Sequence, residues 1–176
     1  MYTRLPRDRI GVVIGPDGKV KREIEERTGT KIRLNSETGE VQIEAGENPL
    51  GAMMARDVVN AIARGFSSEK AFRLFSEEAQ LQVVDIRDYV GDSENALVRM
   101  KGRLIGEGGK VRKLIEETTG ASISIYGKTI ALIGSPEQLS VAREAVDMIL
   151  RGAKHSSVFR FLEEKRREMR EKFRGF

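Results

Sequence analysis

The sequence predicts an α+β protein made of two tandem β-α-α-β-β-α modules and a C-terminal helix, on three observations. First, Ile14 to Ile32 (IGPDGKVKREIEERTGTKI) matches Ile105 to Ile123 (IGEGGKVRKLIEETTGASI) at 11 of 19 positions, with Lys21/Arg112 and Arg22/Lys113 conservative. An internal repeat of this length marks a duplicated fold. Second, the likeness resumes at a shorter offset, Asn48-Pro49 against Ser135-Pro136 and Phe72-Arg73 against Phe159-Arg160, which places one insertion between Ile32 and Asn48 of the first copy. Third, 176 residues accommodate two domains of about 80 to 90 residues, small but able to bury a core. The expected units are 1–75, 76–153 and a basic helical extension over 154–176.

Residues 2–6 supply the leading strand of the first copy, and Pro6 confines it to a sheet edge or a strand end. The second copy opens on a clearer strand, 81–88, and a helix, 93–105. A glycine-rich turn then opens a helix in each copy, 18–28 and 109–119, with Val20/Ile24 and Val111/Ile115 spaced i, i+4 on one face. Gly29 and Gly120 stand where a helix ends in a left-handed residue. Two strand pairs follow, 31–34 with 41–45 and 122–125 with 129–133, the first joined by a longer turn signalled by Asn35, Ser36 and Gly39. The closing helices start with a cap and a proline, Asn48-Pro49 and Ser135-Pro136, and Gln138 is placed for a capping box. Leu50, Met53, Met54, Val58 and Ile62 are the expected core stripe of the first closing helix, and Leu139, Ala142, Val146 and Ile149 that of the second.

Composition excludes several chemistries. With no cysteine and a single histidine, the chain has no disulfide, no thiolate or histidine metal cluster and no thiol nucleophile, so neither a metal nor a cofactor is expected. His155 reads as an exposed loop residue rather than a catalyst. Acids are plentiful, but no pair is placed for acid–base work, and Asp85/Asp88 near a strand end reads as a solvated edge. No apolar run approaches a membrane span and the first ten residues lack the apolar centre of a signal peptide, which predicts a soluble cytoplasmic protein. Mixed charges at 33% of residues, more Glu than Asp and few Asn or Gln are the habit of heat-adapted proteins.

The chemistry concentrates at two loops, Gly15-Pro16-Asp17-Gly18-Lys19 and Gly106-Glu107-Gly108-Gly109-Lys110. Each joins two helices, so unpaired amides at the start of the second helix are expected to face a glycine-lined notch open to phosphate. Lys19, Lys21 and Arg22, and their counterparts Lys110, Arg112 and Lys113, crowd that helix's first turn, where cations oppose the helix dipole. An external anion would complete such a site. A Walker A loop is excluded, because Val13 and Leu104 stand where its first glycine belongs and Val20 and Val111 follow the lysines. A dinucleotide fingerprint fails at Val111. Glycines alone would make a tight interhelical turn, but recurrence of the loop with the same basic triplet favours binding.

The pattern Ile-Gly-x-x-Gly-Lys, helix, Thr-Gly, strand pair, helix resembles the KH domain in its type I order. That resemblance implies a three-stranded antiparallel sheet with helices on one face in each module, and single-stranded nucleic acid clamped by its backbone on the loop. Carried over by position, it implies phosphate contacts at Gly15 to Gly18 and Gly106 to Gly109, neutralised by the two basic triplets. The groove floor would come from Ile10, Val13, Ile14 and Ile32, and from Leu104, Ile105 and Ile123. Arg33, Leu34, Ser124 and Ile125 on the strand wall would read base edges. No aromatic stands near either loop, unlike platforms that stack bases. Asp17 and Glu107 place an acid in each loop, which weakens phosphate attraction and leaves tight binding to both modules acting together.

Two such modules with a basic tail further resemble the archaeal relatives of the eukaryotic small-subunit biogenesis factors Partner of Nob and Krr. The resemblance implies a non-enzymatic factor that binds the 3′ region of small-subunit ribosomal RNA, with the Nob-type rRNA endonuclease and the alpha subunit of archaeal initiation factor two as partners. A protein-interaction scaffold with weak RNA binding is the alternative. The tail reads as an amphipathic helix with Phe159, Leu162, Met169 and Phe173 to one side, packing on its own domain or reaching RNA as a basic arm. Net charge is only +4, but it is segregated: residues 1–36 carry +4, 37–98 carry −7, 99–113 carry +5, 114–153 carry −2 and 154–176 carry +4.

Overall fold

Short strands and glycine-capped helices produce the expected order twice, with burial alternating along the strands of the first copy. The computed structural model describes residues 1–174, with side chains through 172. The first repeat runs β1 (Tyr2–Arg4), α1 (Arg7–Ile14), a one-turn 3-10 helix (Pro16–Gly18), α2 (Lys19–Thr28), β2 (Lys31–Leu34), β3 (Glu40–Glu44) and α3 (Pro49–Ala63), followed by the short α4 (Ser68–Ala71) and a second 3-10 turn (Phe72–Phe75). The second runs β4 (Gln80–Asp85), the short α5 (Arg87–Val90), α6 (Glu94–Ile105), a 3-10 turn (Glu107–Gly109), α7 (Lys110–Thr119), β5 (Ser122–Tyr126), β6 (Thr129–Gly134) and α8 (Pro136–Leu150), then α9 (His155–Arg174). The chain divides into two compact units, Met1–Leu81 and Gln82–Phe176.

Each unit holds a three-stranded antiparallel sheet, in the orders β1-β3-β2 and β4-β6-β5. In the first, Tyr2 and Arg33 both pair with Gln42, and Ile32 pairs with Ile43. The period of two turns Ile32, Val41 and Ile43 into the core with Val13, Ile24, Ala55, Val58 and Ile62. The second core gathers Leu104, Val111, Ile115, Ile123, Leu132, Val146 and Ile149. The caps form as the sequence implies. The Asn48 side chain accepts from the Leu50 amide at 3.0 Å, and Ser135 and Gln138 exchange both bonds of a capping box. The insertion lies in the β2–β3 turn, which spans 35–39, whereas two residues, Gly127 and Lys128, join β5 to β6.

The expected core stripe of α3 needs correction. Val58 and Ile62 are buried, but Leu50 is 64% and Met53 48% exposed, and Met54 is half-buried. The buried face is instead Gly51, Ala52, Ala55, Val58, Val59 and Ile62. Close packing is the reason: a Cβ on Gly51 would lie 2.0 Å from the Thr28 carbonyl oxygen. The helix therefore turns its smallest residues toward the end of α2 and Leu50 and Met53 outward. The stripe expected for α8 is buried throughout.

The first half of α9 packs on its own unit. Val158 and Leu162 are buried, Phe159 and Phe161 pack against the same core, and Arg166 donates to the Thr118 hydroxyl on α7 at 3.1 Å. Of the expected apolar side, Phe159 and Leu162 pack on the unit and Met169 is exposed, while the side chain of Phe173 lies outside the described residues. His155 is not an exposed loop residue. It begins α9 half-buried, with its Nε2 3.0 Å from the Arg103 carbonyl oxygen and its ring stacked on Phe159. Among the described residues no helix is long and apolar enough to cross a membrane.

Candidate nucleic-acid interface

Each glycine loop is a sharp exit from one helix into the next. Gly15 and Gly106 have φ of 72° and 75°, and their amides close the preceding helices onto the Gly11 and Gly102 carbonyls at 2.9 and 2.8 Å. A Cβ on either would lie 2.4 Å from a methyl of Val20 or Val111, so packing alone requires glycine there. The fourth loop residues differ. Gly18 and Gly109 are also left-handed, but a Cβ would meet only the side-chain ends of Arg22, at 3.3 Å, and Lys113, at 3.8 Å. Their backbone is bare on the side where the basic residues lie.

Two amides of each expected notch are taken up within the loop. The Gly18 and Gly109 amides donate to the Gly15 and Gly106 carbonyls at 3.1 Å, the Lys19 and Lys110 amides donate to Pro16 and Glu107, and Pro16 has no N–H. A 3-10 turn takes up these donors before α2 and α7 begin. Asp17 is the one non-glycine residue with positive φ among the described residues, at 55°, and Gly108 occupies the same place in the second loop at 62°.

Within each basic triplet the residues have separate roles. Lys19, Arg22, Lys110 and Lys113 are exposed, and neither α2 nor α7 has an acid in its first turn. Lys21 and Arg112 turn inward, to Glu25 at 3.7 Å and Glu116 at 2.7 Å. The other oxygen of each carboxylate accepts the backbone N–H of Ile32 at 2.9 Å or Ile123 at 3.0 Å. A basic residue, a carboxylate and the edge strand thus tie the two walls of each groove together at a fixed spacing. Glu25 and Glu116 were not singled out from the sequence, although they are identical between the copies and lie four residues after the basic partner, the signal that would have found them.

The strand wall divides along the pleat. Ile32 and Ile123 are buried and contribute backbone rather than side-chain surface, while Leu34, Ser124 and Ile125 are half-buried at the groove edge. Ile10, Val13 and Leu104 belong to the core, which leaves Ile14 and Ile105 as the half-buried floor residues. Arg33 points to the opposite face of its sheet and pairs with Glu44 at 3.3 Å. Between α1 and the long β2–β3 turn, Arg7, Ile10, Gly11, Ser36 and Glu37 line a concavity of about 620 Å³. Pro16, Asp17, Glu107 and Gly108 form exposed loop tips.

The helix ahead of each loop is anchored by an arginine that the repeat does not reveal. Arg9 donates to the Ile62 and Phe66 carbonyls at 2.8 and 2.7 Å, and Arg103 to those of Ile149, at 3.0 Å, and Ala153. Each guanidinium satisfies one carbonyl in the last turn of the closing helix, Ile62 or Ile149, and one just past its end, Phe66 or Ala153. They stand one turn apart in the aligned copies, so self-comparison does not pair them. Among the described residues no cluster of acids and histidine is arranged to hold a metal.

Known proteins share this architecture. A family model for the second KH domain of PNO1, described as a eukaryotic-type KH domain of type I, matches residues 80–167, and the KH domain model matches residues 2–61. Fold and loops together define a tandem type I KH-domain protein. The KH domain-containing protein MJ0443 of Methanocaldococcus jannaschii is 45% identical over 170 residues, covering 95% of this chain and 74% of that one. The pre-rRNA-processing protein PNO1 of Chaetomium thermophilum is 26% identical over 73% of this chain, which spans 52% of that relative's length. In the crystal structure of the a/eIF2alpha–aDim2p–rRNA complex from Pyrococcus horikoshii OT3, the matching chain is 47% identical with a TM-score of 0.89, over 96% of this chain and 94% of that one. The chain belongs to the tandem KH family that includes archaeal Dim2p and eukaryotic PNO1.

Proposed function

We propose that this protein is a non-catalytic, cytoplasmic factor of ribosome biogenesis that holds the single-stranded 3′ region of small-subunit ribosomal RNA in two KH grooves, one in each module. The observation that carries the reading is the duplicated loop: a bare fourth glycine beside two exposed cations, in a groove whose walls are tied by Glu25 and Glu116. Backbone clamping on such a loop holds about four nucleotides per module. A relative at 47% identity crystallised with rRNA and a/eIF2alpha supports both the ligand and the alpha subunit of initiation factor two as a partner. The Nob-type endonuclease is the second partner of this reading. This reading keeps the module boundary at 75/76, ahead of β4, with 154–176 as an extension of the second module.

Gly18→Asp with Gly109→Asp tests the mechanism, because these sites have room that Gly15 and Gly106 lack. Titration of a labelled rRNA 3′-end oligonucleotide is expected to show at least a hundredfold loss of affinity with far-ultraviolet circular dichroism unchanged. Unchanged binding by the folded double variant contradicts the groove mechanism. Capture of the initiation-factor subunit without any oligonucleotide binding supports the scaffold alternative, which the acids at Asp17 and Glu107 favour.

A further inference from the structure

We propose that the outer face of the first sheet is a base-stacking platform centred on Tyr2, which takes a nucleobase of the RNA strand after it leaves the first groove. The inference rests on the groove reading above and extends it to a surface away from both glycine loops. Tyr2, Gln42 and Arg33 are register partners across β1, β3 and β2, so their side chains stand in one row on the same face. Tyr2 is 74% exposed, more than any other large apolar or aromatic residue among those described. The neighbouring Thr3 points inward, its hydroxyl bonded to Asn60 of α3 at 2.7 Å, which fixes the Tyr2 ring outward on an ordered strand.

The row borders a concavity of about 390 Å³ lined by Tyr2, Arg33, Leu34, Asn35, Glu40 and Gln42. One ring face, two amides, a guanidinium and a carboxylate are the groups that stack on a base and bond its donor and acceptor edge. The half-exposed Gln42 side chain has no hydrogen-bond partner among the described residues and lies beside the ring. Arg4, Lys31 and Arg33 outnumber Glu40 and Glu44 on this face, leaving it net positive for a phosphodiester chain. A protein-docking surface needs contiguous apolar area, and this face offers one ring among charges.

Continuity with the groove decides the occupant. β2 is the edge strand: its inward residues line the groove, while Arg33 on the same strand belongs to the platform. From that edge Tyr2 is two strands away, about 10 Å, a short step for a flexible single strand. The second module does not repeat the feature, since the outer-face positions of β6, Ala131 and Ile133, are buried.

The sequence contains no tryptophan, so Tyr2→Trp installs a unique fluorophore on the platform. Titrations use rRNA 3′-end oligonucleotides lengthened one nucleotide at a time at either end. Tyr2→Trp emission is expected to be quenched only by oligonucleotides extended beyond groove length. Tyr2→Ala is expected to lower affinity for those about 5- to 100-fold, to leave groove-length binding unchanged, and to be rescued by Tyr2→Phe. Equal affinities of wild type and Tyr2→Ala at every length, while Gly18→Asp with Gly109→Asp still abolishes binding, overturn the platform and leave the groove intact. Emission that ignores RNA but responds to the initiation-factor subunit overturns it in favour of protein docking.

Discussion

At the scale of single residues, the two glycines of each loop have different reasons to exist. Val20 and Val111 forbid a side chain on Gly15 and Gly106, whereas Gly18 and Gly109 are bare toward solvent and the cations. The sequence shows both glycines but not this division, because the clash depends on where α2 and α7 turn back. Asp17 and Gly108 offer a reciprocal test, since they share one left-handed conformation and nothing lies within 4 Å of a Cβ at Gly108. Asp17→Gly is expected to raise RNA affinity and Gly108→Asp to lower it, each by up to about fivefold, the effect of one unit charge near a phosphate in water. Fluorescence anisotropy at fixed salt measures both. Asp85 gives a separate pH prediction. Hydrogen bonds from the Arg87 side chain, then its backbone amide, hold this carboxyl at about 2. Its value in the folded state lies below that of the unfolded chain, so the stabilisation is complete above about pH 4 and is lost as the pH falls toward 2. Exposure to solvent screens it to less than about 1 kcal/mol. Asp85→Asn is expected to flatten this part of the acid denaturation curve.

At the scale of elements, the repeat made the helix-loop-helix units, the strand pairs and the caps readable, because those depend on local patterning and on glycine, proline and serine at fixed offsets. It failed where packing is tertiary. Leu50 and Met53 have the spacing of a core stripe, but the close approach of Gly51 to Thr28 rotates α3 and exposes them. Free amides at the loops were inferred from helix geometry, and the 3-10 turns consume those of Gly18, Lys19, Gly109 and Lys110. The tie from Lys21 or Arg112 through a carboxylate to the edge strand joins residues from two elements, so neither segment discloses it alone. Glu116→Gln is expected to cost about 1 to 2 kcal/mol of stability by weakening the bond to Arg112 and by replacing the carboxylate that accepts from the Ile123 N–H with a neutral amide oxygen. Chemical denaturation measures the loss, and a matching fall in RNA affinity follows if the tie sets groove width.

At the scale of the whole molecule, the weak net charge conceals its arrangement. Four exposed cations, Lys19, Arg22, Lys110 and Lys113, stand at the two loops. Each neutralised phosphate on a single strand contributes a log-log salt slope of about −0.7, so the loops together predict about −3. Lys113→Ala is expected to reduce that slope by about 0.7. In the function proposed above, duplication supplies the affinity that an acid-bearing loop lacks: with both modules on one strand, the second is expected to bind at high effective concentration. The tandem organisation and this charge segregation were legible in the sequence, while the outward row of Tyr2, Gln42 and Arg33 required the strand register. Backbone amide chemical shifts during titration with a single-stranded rRNA 3′-end oligonucleotide locate the ligand. The largest changes are expected at residues 15–22 and 106–113 and along the edges of β2 and β5. Changes confined to α3 or α9, with both glycine loops unmoved, contradict RNA binding by the paired KH grooves.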